Sequence, residues 1–228
     1  MGTHERKERE REHRREEILD AAQRVFFEKG LVVATMDEIA ETAELSKGTL
    51  YLYYKSKEDL YLAVMMRGTE LLLDMFAEVV KKGASVTETL IRLSDAYIEY
   101  FNNHKNYFRM LDFLQTPQFH KQVSEEMKQS CEALNQDIWD LVNNLLKRGI
   151  EEGTVRPDLN PVEVSIIIWS SATTLLLRID REYDLWKEKF QLDLVQTVRL
   201  SNSLLFDAIL TEEGRTELAT LANTRTHH

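Results

Sequence analysis

The sequence predicts an all-α protein: an N-terminal three-helix unit of helix-turn-helix type, then a larger helical body, about nine to ten helices in all. Three observations carry this. The 228 residues include only 8 Gly and 3 Pro, which favours long helices with few turns. No stretch alternates apolar and polar residues long enough to make a strand. Apolar residues instead recur at helical spacing in one segment after another, and at 43% hydrophobic content they can fill a substantial core.

Residues 1–15 read as a charged tail, with Arg6, Lys7, Arg9, Arg11, Arg14 and Arg15 against four glutamates. Glu5–Arg9 and Glu10–Arg14 are favourable i, i+4 pairs, so the tail either extends the first helix or frays. A basic arm that reaches a polyanion's backbone or groove is its functional alternative. Helix one is expected over residues 18–29, with Ile18, Ala22, Val25 and Phe26 on one face, Phe27 widening it, and Gly30 as the stop. Thr35 with Glu38 forms a capping box ahead of Met36, Ile39, Ala40 and Ala43, the apolar face of a short helix. After a break at Leu45-Ser46, Ser46 caps a second short helix over residues 47–53. Ser56 with Asp59 opens a third near residue 57. Two short helices joined tightly, with a new helix directly behind, are a helix-turn-helix; the motif occupies about residues 35–54 of a DNA-binding domain at 16–62.

The helix from residue 57 to about 82 carries a stripe of Leu60, Val64, Leu71, Met75 and Val79, broadened by Leu72, Phe76 and Val80, and ends at Gly83. Ser85 with Glu88 opens the next, to about residue 104. A short aromatic-rich helix follows over residues 106–115, then a long one over 118–152. Asn160-Pro161-Val162-Glu163 is a strong start signal, combining an N-cap, a first-turn proline and an acid at N3. The helix it opens, to about residue 181, is apolar nearly all round. Another spans about 190–210, and the polar end, 211–228, is expected to be loosely held.

Charge sharpens the functional reading. The chain is acidic, net −10, and even residues 1–60 hold 11 basic against 14 acidic groups, so no bulk basic footprint is present. The stretch 45–57 is the exception: it holds Lys47, Lys55 and Lys57 and no anion. Ser46, Thr49, Tyr51, Tyr53 and Tyr54 add hydroxyls of the kind that bond phosphates and base edges. Gly48 weakens its helix but lets the backbone approach another surface closely. Leu50 and Leu52 read as core. Periodicity alone leaves the tyrosines open between core and surface.

The run SKGTLYLYYKSKEDL resembles the signature of the tetracycline-repressor (TetR) family of bacterial transcriptional regulators. The likeness is strong over about residues 18–62 and rests elsewhere on length and helical architecture. It implies that the second short helix enters the major groove of DNA and that the next helix begins at a phosphate. The candidate DNA-binding residues are then Thr35, Ser46, Lys47, Gly48, Thr49, Tyr51, Tyr53, Tyr54 and Lys57. Lys47 and Thr49 are expected nearest the bases, and Thr35, Tyr53 and Lys57 on phosphates; Tyr54 stays open between DNA and packing on helix one.

The resemblance also implies that residues 63–228 form a ligand-binding and dimerisation domain. The expected protein is a ligand-responsive regulator, by family default a repressor, which binds a palindromic operator as a homodimer. A small, mostly apolar effector releases it, with a long-chain acyl group favoured by the resemblance alone. Methionines and aromatics are abundant along the body, and the candidate pocket residues are Leu72, Phe76, Tyr97, Phe101, Met110, Phe113, Trp139 and Trp169. A helix apolar on all sides needs cover on all sides. The last two long helices are therefore the expected dimer interface, with Trp169, Ala172, Leu176, Val198, Leu205 and Phe206 as its candidates and Ser170 and Ser171 allowing close approach.

Other classes are disfavoured. Cys131 is the sole cysteine, which rules out an intrachain disulfide and suits a reducing cytoplasm. The start, MGTHERKE, has no apolar signal region. The longest apolar-rich run, residues 164–179, reads as too short and too polar to span a membrane. His4, His13, His104, His120, His227 and His228 show no metal-ligand spacing, and no catalytic constellation or cofactor motif appears, so no enzyme is expected. The alternative on the same fold is a DNA-bound architectural or division-control protein acting through protein partners.

Overall fold

A computed structural model describes residues 3–82, 85–114 and 117–225, with side chains set aside at residues 3, 112–118, 194 and 222–225. Among the described residues there are eleven helices: α1 (Thr3–Val33), α2 (Met36–Thr42), α3 (Lys47–Tyr53), α4 (Lys57–Lys81), α5 (Val86–Asn103), α6 (Lys105–Leu114), α7 (Pro117–Gln122), α8 (Glu125–Glu151), α9 (Pro161–Phe190), α10 (Leu194–Ile209) and α11 (Glu212–Arg225). They fall into two compact units. One comprises Met1–Glu70 with Asn106–Leu134, the other Leu71–Lys105 with Asn135–His228. The first unit takes in α6, α7 and the start of α8 beside the helix-turn-helix.

In the first unit the apolar face of α1 is buried as its spacing requires, with Ile18, Ala22, Val25 and Phe26 all inside. Ile39 and Ala40 of α2, Leu50 of α3, and Leu60, Tyr61 and Val64 of α4 complete the centre. The Tyr61 ring meets Phe26 edge-on at 5.0 Å and Phe119 at 5.8 Å. Its hydroxyl donates to the Met110 carbonyl at 3.1 Å, so this buried phenol is satisfied. Tyr107 of α6 packs on Phe27 at 5.1 Å and donates to Gln23 at 3.0 Å. α6 thus supplies cover that three short helices cannot supply for themselves.

Residues 3–15 continue α1 without a break, held by pairs such as Arg6–Glu10 at 2.9 Å and Arg14–Glu17 at 2.7 Å. Gly30, at φ 72°, supplies the left-handed residue that ends the regular part of α1. The start signals act as expected. Thr35 accepts from the Glu38 amide at 3.2 Å, Ser46 from Thr49 at 3.1 Å, Ser85 from Glu88 at 3.2 Å and Asn160 from Val162 at 2.9 Å.

Three expectations change. The long helix expected over 118–152 is interrupted at Val123–Ser124, where Ser124 accepts from the Met127 amide at 3.4 Å and Glu125 and Glu126 fill the first turn of α8. α9 runs nine residues past its expected end, to Phe190, and stops where Gln191 adopts φ 54°. The polar C-terminal segment is helical as α11, which starts where Thr211 accepts from Gly214. Gly83, His227 and His228 lie outside the described residues.

In the second unit α9 and α10 pack along each other, joined at mid-length by the Ser171–Ser201 hydroxyl pair at 2.8 Å. Val164, Ala172, Leu176, Ile179, Val198 and Phe206 face the interior. Two pairs of buried polar groups meet between helices: Ser165 donates to Asn143 at 2.8 Å, and the Tyr97 and Thr173 hydroxyls meet at 2.7 Å. Burial pushes the Tyr97 phenol up to about 12, against the lowering effect of the Thr173 and Trp169 hydrogen bonds. α9 is long and apolar enough to cross a membrane by length and composition. Its inward serine and threonine are answered by side chains of α8 and α5, which is the packing of a helix in a protein bundle. At Gly149 a Cβ would stand 2.5 Å from Val155 and 2.9 Å from Val86, so α8 touches its neighbours there through bare backbone.

Candidate nucleic-acid interface

Among the residues of α3 itself, Leu50 alone is fully buried, while Ser46, Lys47, Gly48, Tyr51 and Leu52 face outward. Thr35, which caps α2, is exposed beside this surface in the motif. Its oxygen accepts from Glu38, leaving the hydroxyl proton for an outside acceptor. Ser46 and Thr49 pair through their hydroxyls at 2.8 Å. Lys47 forms an exposed ion pair with Asp37 at 2.7 Å, and that hydrogen bond raises the lysine pKa. Lys55 pairs with Glu126 at 3.2 Å in the same exposed manner.

Gly48 has open space around it. A Cβ there would meet only the Ser46 hydroxyl, at 3.7 Å. The protein's own packing gives no reason for a glycine at the second position of this helix, where a side chain would find room. The room it leaves faces away from the chain.

Two of the sequence-derived candidates are corrected. Tyr54 is only 2% exposed; its hydroxyl accepts from Arg15 at 3.3 Å, and the Arg15 guanidinium lies 5.9 Å from its ring. Burial raises its pKa, with the Arg15 hydrogen bond acting against that. A ring so enclosed packs α3 against α1 and does not reach DNA. Lys57 donates to the carbonyls of Leu31 at 2.6 Å and Ala34 at 2.8 Å. Two of its three N–H donors thus cap the end of α1, and its first role is structural. Removing it leaves half-buried carbonyls unanswered. Lys57→Ala is expected to lower stability by about 1.5–3 kcal/mol in the absence of DNA. Urea denaturation checks this, and a variant as stable as the parent contradicts the capping role. Leu52 is a third surprise: expected in the core, it is 80% exposed.

Sequence reasoning also missed what holds α4 in place. The Ser56 hydroxyl accepts from Asp59 at 2.9 Å as a cap should, yet it also donates to the Gln122 carbonyl at 3.0 Å. The buried Asp59 carboxylate does not reach back to complete the box; it accepts from the Ser124 amide at 2.7 Å. The first turn of α4 is thereby clasped to the junction of α7 and α8. Arg67, bonded to Asp20 at 2.7 Å and to Glu16, ties α4 to α1. Beside this clasp lies a cleft of about 300 Å³ lined with charge, including Arg11, Arg15, Lys55, Glu12 and Glu126.

The candidate pocket and dimer residues also separate. Phe76 and Tyr97 pack edge-on at 6.3 Å, Phe101 is buried, and Leu72 is half-buried, all in the second unit. Trp139 and Trp169 meet at 5.7 Å, with Trp169 largely exposed. Met110 belongs to the first unit, where its carbonyl accepts from the Tyr61 hydroxyl. The Phe113 side chain lies outside the described residues. Ala172, Leu176, Val198 and Phe206 are interior and cannot form an outer interface, and Leu205 is half-buried. The outward apolar positions are Val162, Ile166, Ile167, Trp169, Leu185 and Phe190 on α9 and Leu200 and Leu204 on α10.

A short buried-core motif with an uncovered second helix defines a DNA-binding protein of helix-turn-helix type. Residues 18–64 match the model of the bacterial regulatory proteins of the tetR family, and residues 87–180 match a tetracyclin repressor-like C-terminal domain. The chain belongs to the TetR family of transcriptional regulators. It is 30% identical over 136 residues to the HTH-type transcriptional activator FasR of Mycolicibacterium smegmatis, a match covering 58% of this chain and 60% of that relative. It is 24% identical over 192 residues to the fatty acid metabolism regulator protein of Bacillus subtilis, covering 83% and 90%. The crystal structure of FadR from Bacillus subtilis in complex with stearoyl-CoA superimposes with a TM-score of 0.65 at 22% identity, over 85% of this chain and 98% of that one. This last likeness is one of fold.

Proposed function

We propose that this chain is a ligand-responsive repressor acting in the cytoplasm. As a homodimer it binds a palindromic operator, and a small, mostly apolar effector with a long acyl chain releases it. The observation that carries the DNA-binding reading is the uncovered face of α3, with Lys47, Gly48 and Tyr51 exposed above a single buried Leu50. Thr35, Ser46 and Thr49 complete the contact set, with Tyr53 at its edge. Dimerisation is assigned to the outward apolar positions of α9 and α10, since a protein that left them in water would forgo their burial.

The effector reading is supported by the acyl-CoA in a FadR of similar fold and by the fatty-acid regulator among the relatives. Phe76, Tyr97 and Phe101 are the side chains against which an acyl chain would lodge, and Leu72 and Phe76 belong to α4, whose first turn is part of the reader. Coupling is reciprocal: an effector that weakens DNA binding must itself bind the DNA complex less well. Stearoyl-CoA is titrated into protein alone and into its operator complex, with Trp139 and Trp169 fluorescence and DNA anisotropy as readouts. Operator affinity is expected to fall about tenfold or more. If neither signal responds to acyl-CoAs of any chain length, the effector reading fails and the architectural alternative takes its place.

A further inference from the structure

Leu52 stands on the DNA-facing side of α3 with 80% of its surface in water. Gly48, Tyr51 and Leu52 are related by i, i+3 and i+4 and share one face of the helix. A helical side chain leans toward the N-terminus over the residues three and four positions earlier. For Leu52 the residue four back is Gly48, which has no side chain, and a Cβ placed there would meet nothing nearer than Ser46 at 3.7 Å. The result is a notch with the bare backbone of Gly48 as its floor and the Leu52 isobutyl group as its wall. Among the described residues nothing covers it.

We propose that this notch reads a thymine. The 5-methyl of thymine is the one apolar group that a base pair displays in the major groove. Lys47 and Lys55 are exposed on the stretch 45–57, which has no anion of its own, and each is held by an exposed ion pair, to Asp37 and to Glu126, that a polyanion can replace. An exposed leucine among those cations gains nothing from phosphate. It gains from a methyl group that excludes water from both partners. Leu52 is then a specificity-determining residue, choosing T over C at one position of each half-site, while the polar residues of α3 hold the backbone and the remaining bases. This inference rests on the proposed DNA-binding function.

The test uses the full chain and an operator selected from a random duplex library. Each thymine of the selected site is replaced in turn by deoxyuridine, which removes the 5-methyl and leaves pairing intact. One position per half-site is expected to lose about fourfold in affinity, and about fifteenfold when both half-sites are changed. Leu52→Ala, whose folding is checked by circular dichroism, should bind the thymine operator with the same loss and show no further loss on the deoxyuridine operator. If the two losses multiply, or no thymine is methyl-sensitive, Leu52 does not read thymine, although DNA binding stands. If no duplex is selected at all, the DNA-binding reading falls and this inference with it.

Discussion

Leu204→Arg is expected to give monomers and to abolish operator binding. Leu204 is 64% exposed on α10; Leu200 on the same helix is exposed too, as are Ile166 and Ile167 on α9, the helix it packs against. The inner side of the same two helices is filled by Val164, Leu176, Val198 and Phe206. An arginine at this position therefore leaves the body's own core untouched. At a two-fold interface each residue appears twice, so the substitution brings two guanidinium groups into an apolar seam without partners. That costs several kcal/mol, enough to dissociate a dimer at micromolar concentration. A lone reader contacts one half-site, and operator affinity should fall about a thousandfold, toward the non-specific level. Sedimentation velocity and operator titration check the two halves of the prediction. A variant that remains dimeric places the interface elsewhere. The interior Leu176→Arg should instead unfold the body.

Gly48→Ala should move stability and function in opposite directions. Alanine relieves the backbone-entropy cost of a first-turn glycine, and among the described residues the nearest atom to the new methyl is the Ser46 hydroxyl at 3.7 Å, so the folded state gains about 0.5 kcal/mol. If α3 lies against DNA with its backbone close to the groove, the same methyl intrudes at both half-sites. At about 1–3 kcal/mol for each misfit group, operator affinity drops about thirtyfold or more. Thermal denaturation should show a higher Tm and anisotropy a weaker complex. A variant that is both more stable and fully active means that Gly48 does not approach DNA.

What the sequence disclosed and what it withheld follow a physical line. The helix starts at Thr35, Ser46, Ser85 and Asn160 were legible because a cap and its amide lie within three residues. The start at Ser124 had a signal of the same kind, an N-cap followed by Glu125 and Glu126, and it splits an otherwise unbroken apolar pattern. Partners distant in the chain were not legible. Tyr54 is claimed by Arg15, 39 residues away, and the Ser124 amide by Asp59, 65 residues away. Lys57 reads from sequence as a cation beside DNA because the carbonyls of Leu31 and Ala34 become its partners only after α1 has turned.

The all-round apolar character of α9 showed that it needs cover on two sides. It did not show which side the body takes, and so the interior set Ala172, Leu176, Val198 and Phe206 was assigned to the interface. Leu52 breaks the patterning rule in the other direction, an apolar residue where burial is absent, and such local violations cluster where a surface has a job to do.

Selection of bound sequences from a random duplex library by the purified full-length chain tests the central claim most directly. One α3 spans only a few base pairs, so a dimeric reader must enrich an inverted repeat whose half-sites lie about 34 Å, or a multiple of that, centre to centre. Loss of enrichment for Leu204→Arg in the same experiment ties the repeat to the dimer. Enrichment of a single unrepeated site, or of none, contradicts the account.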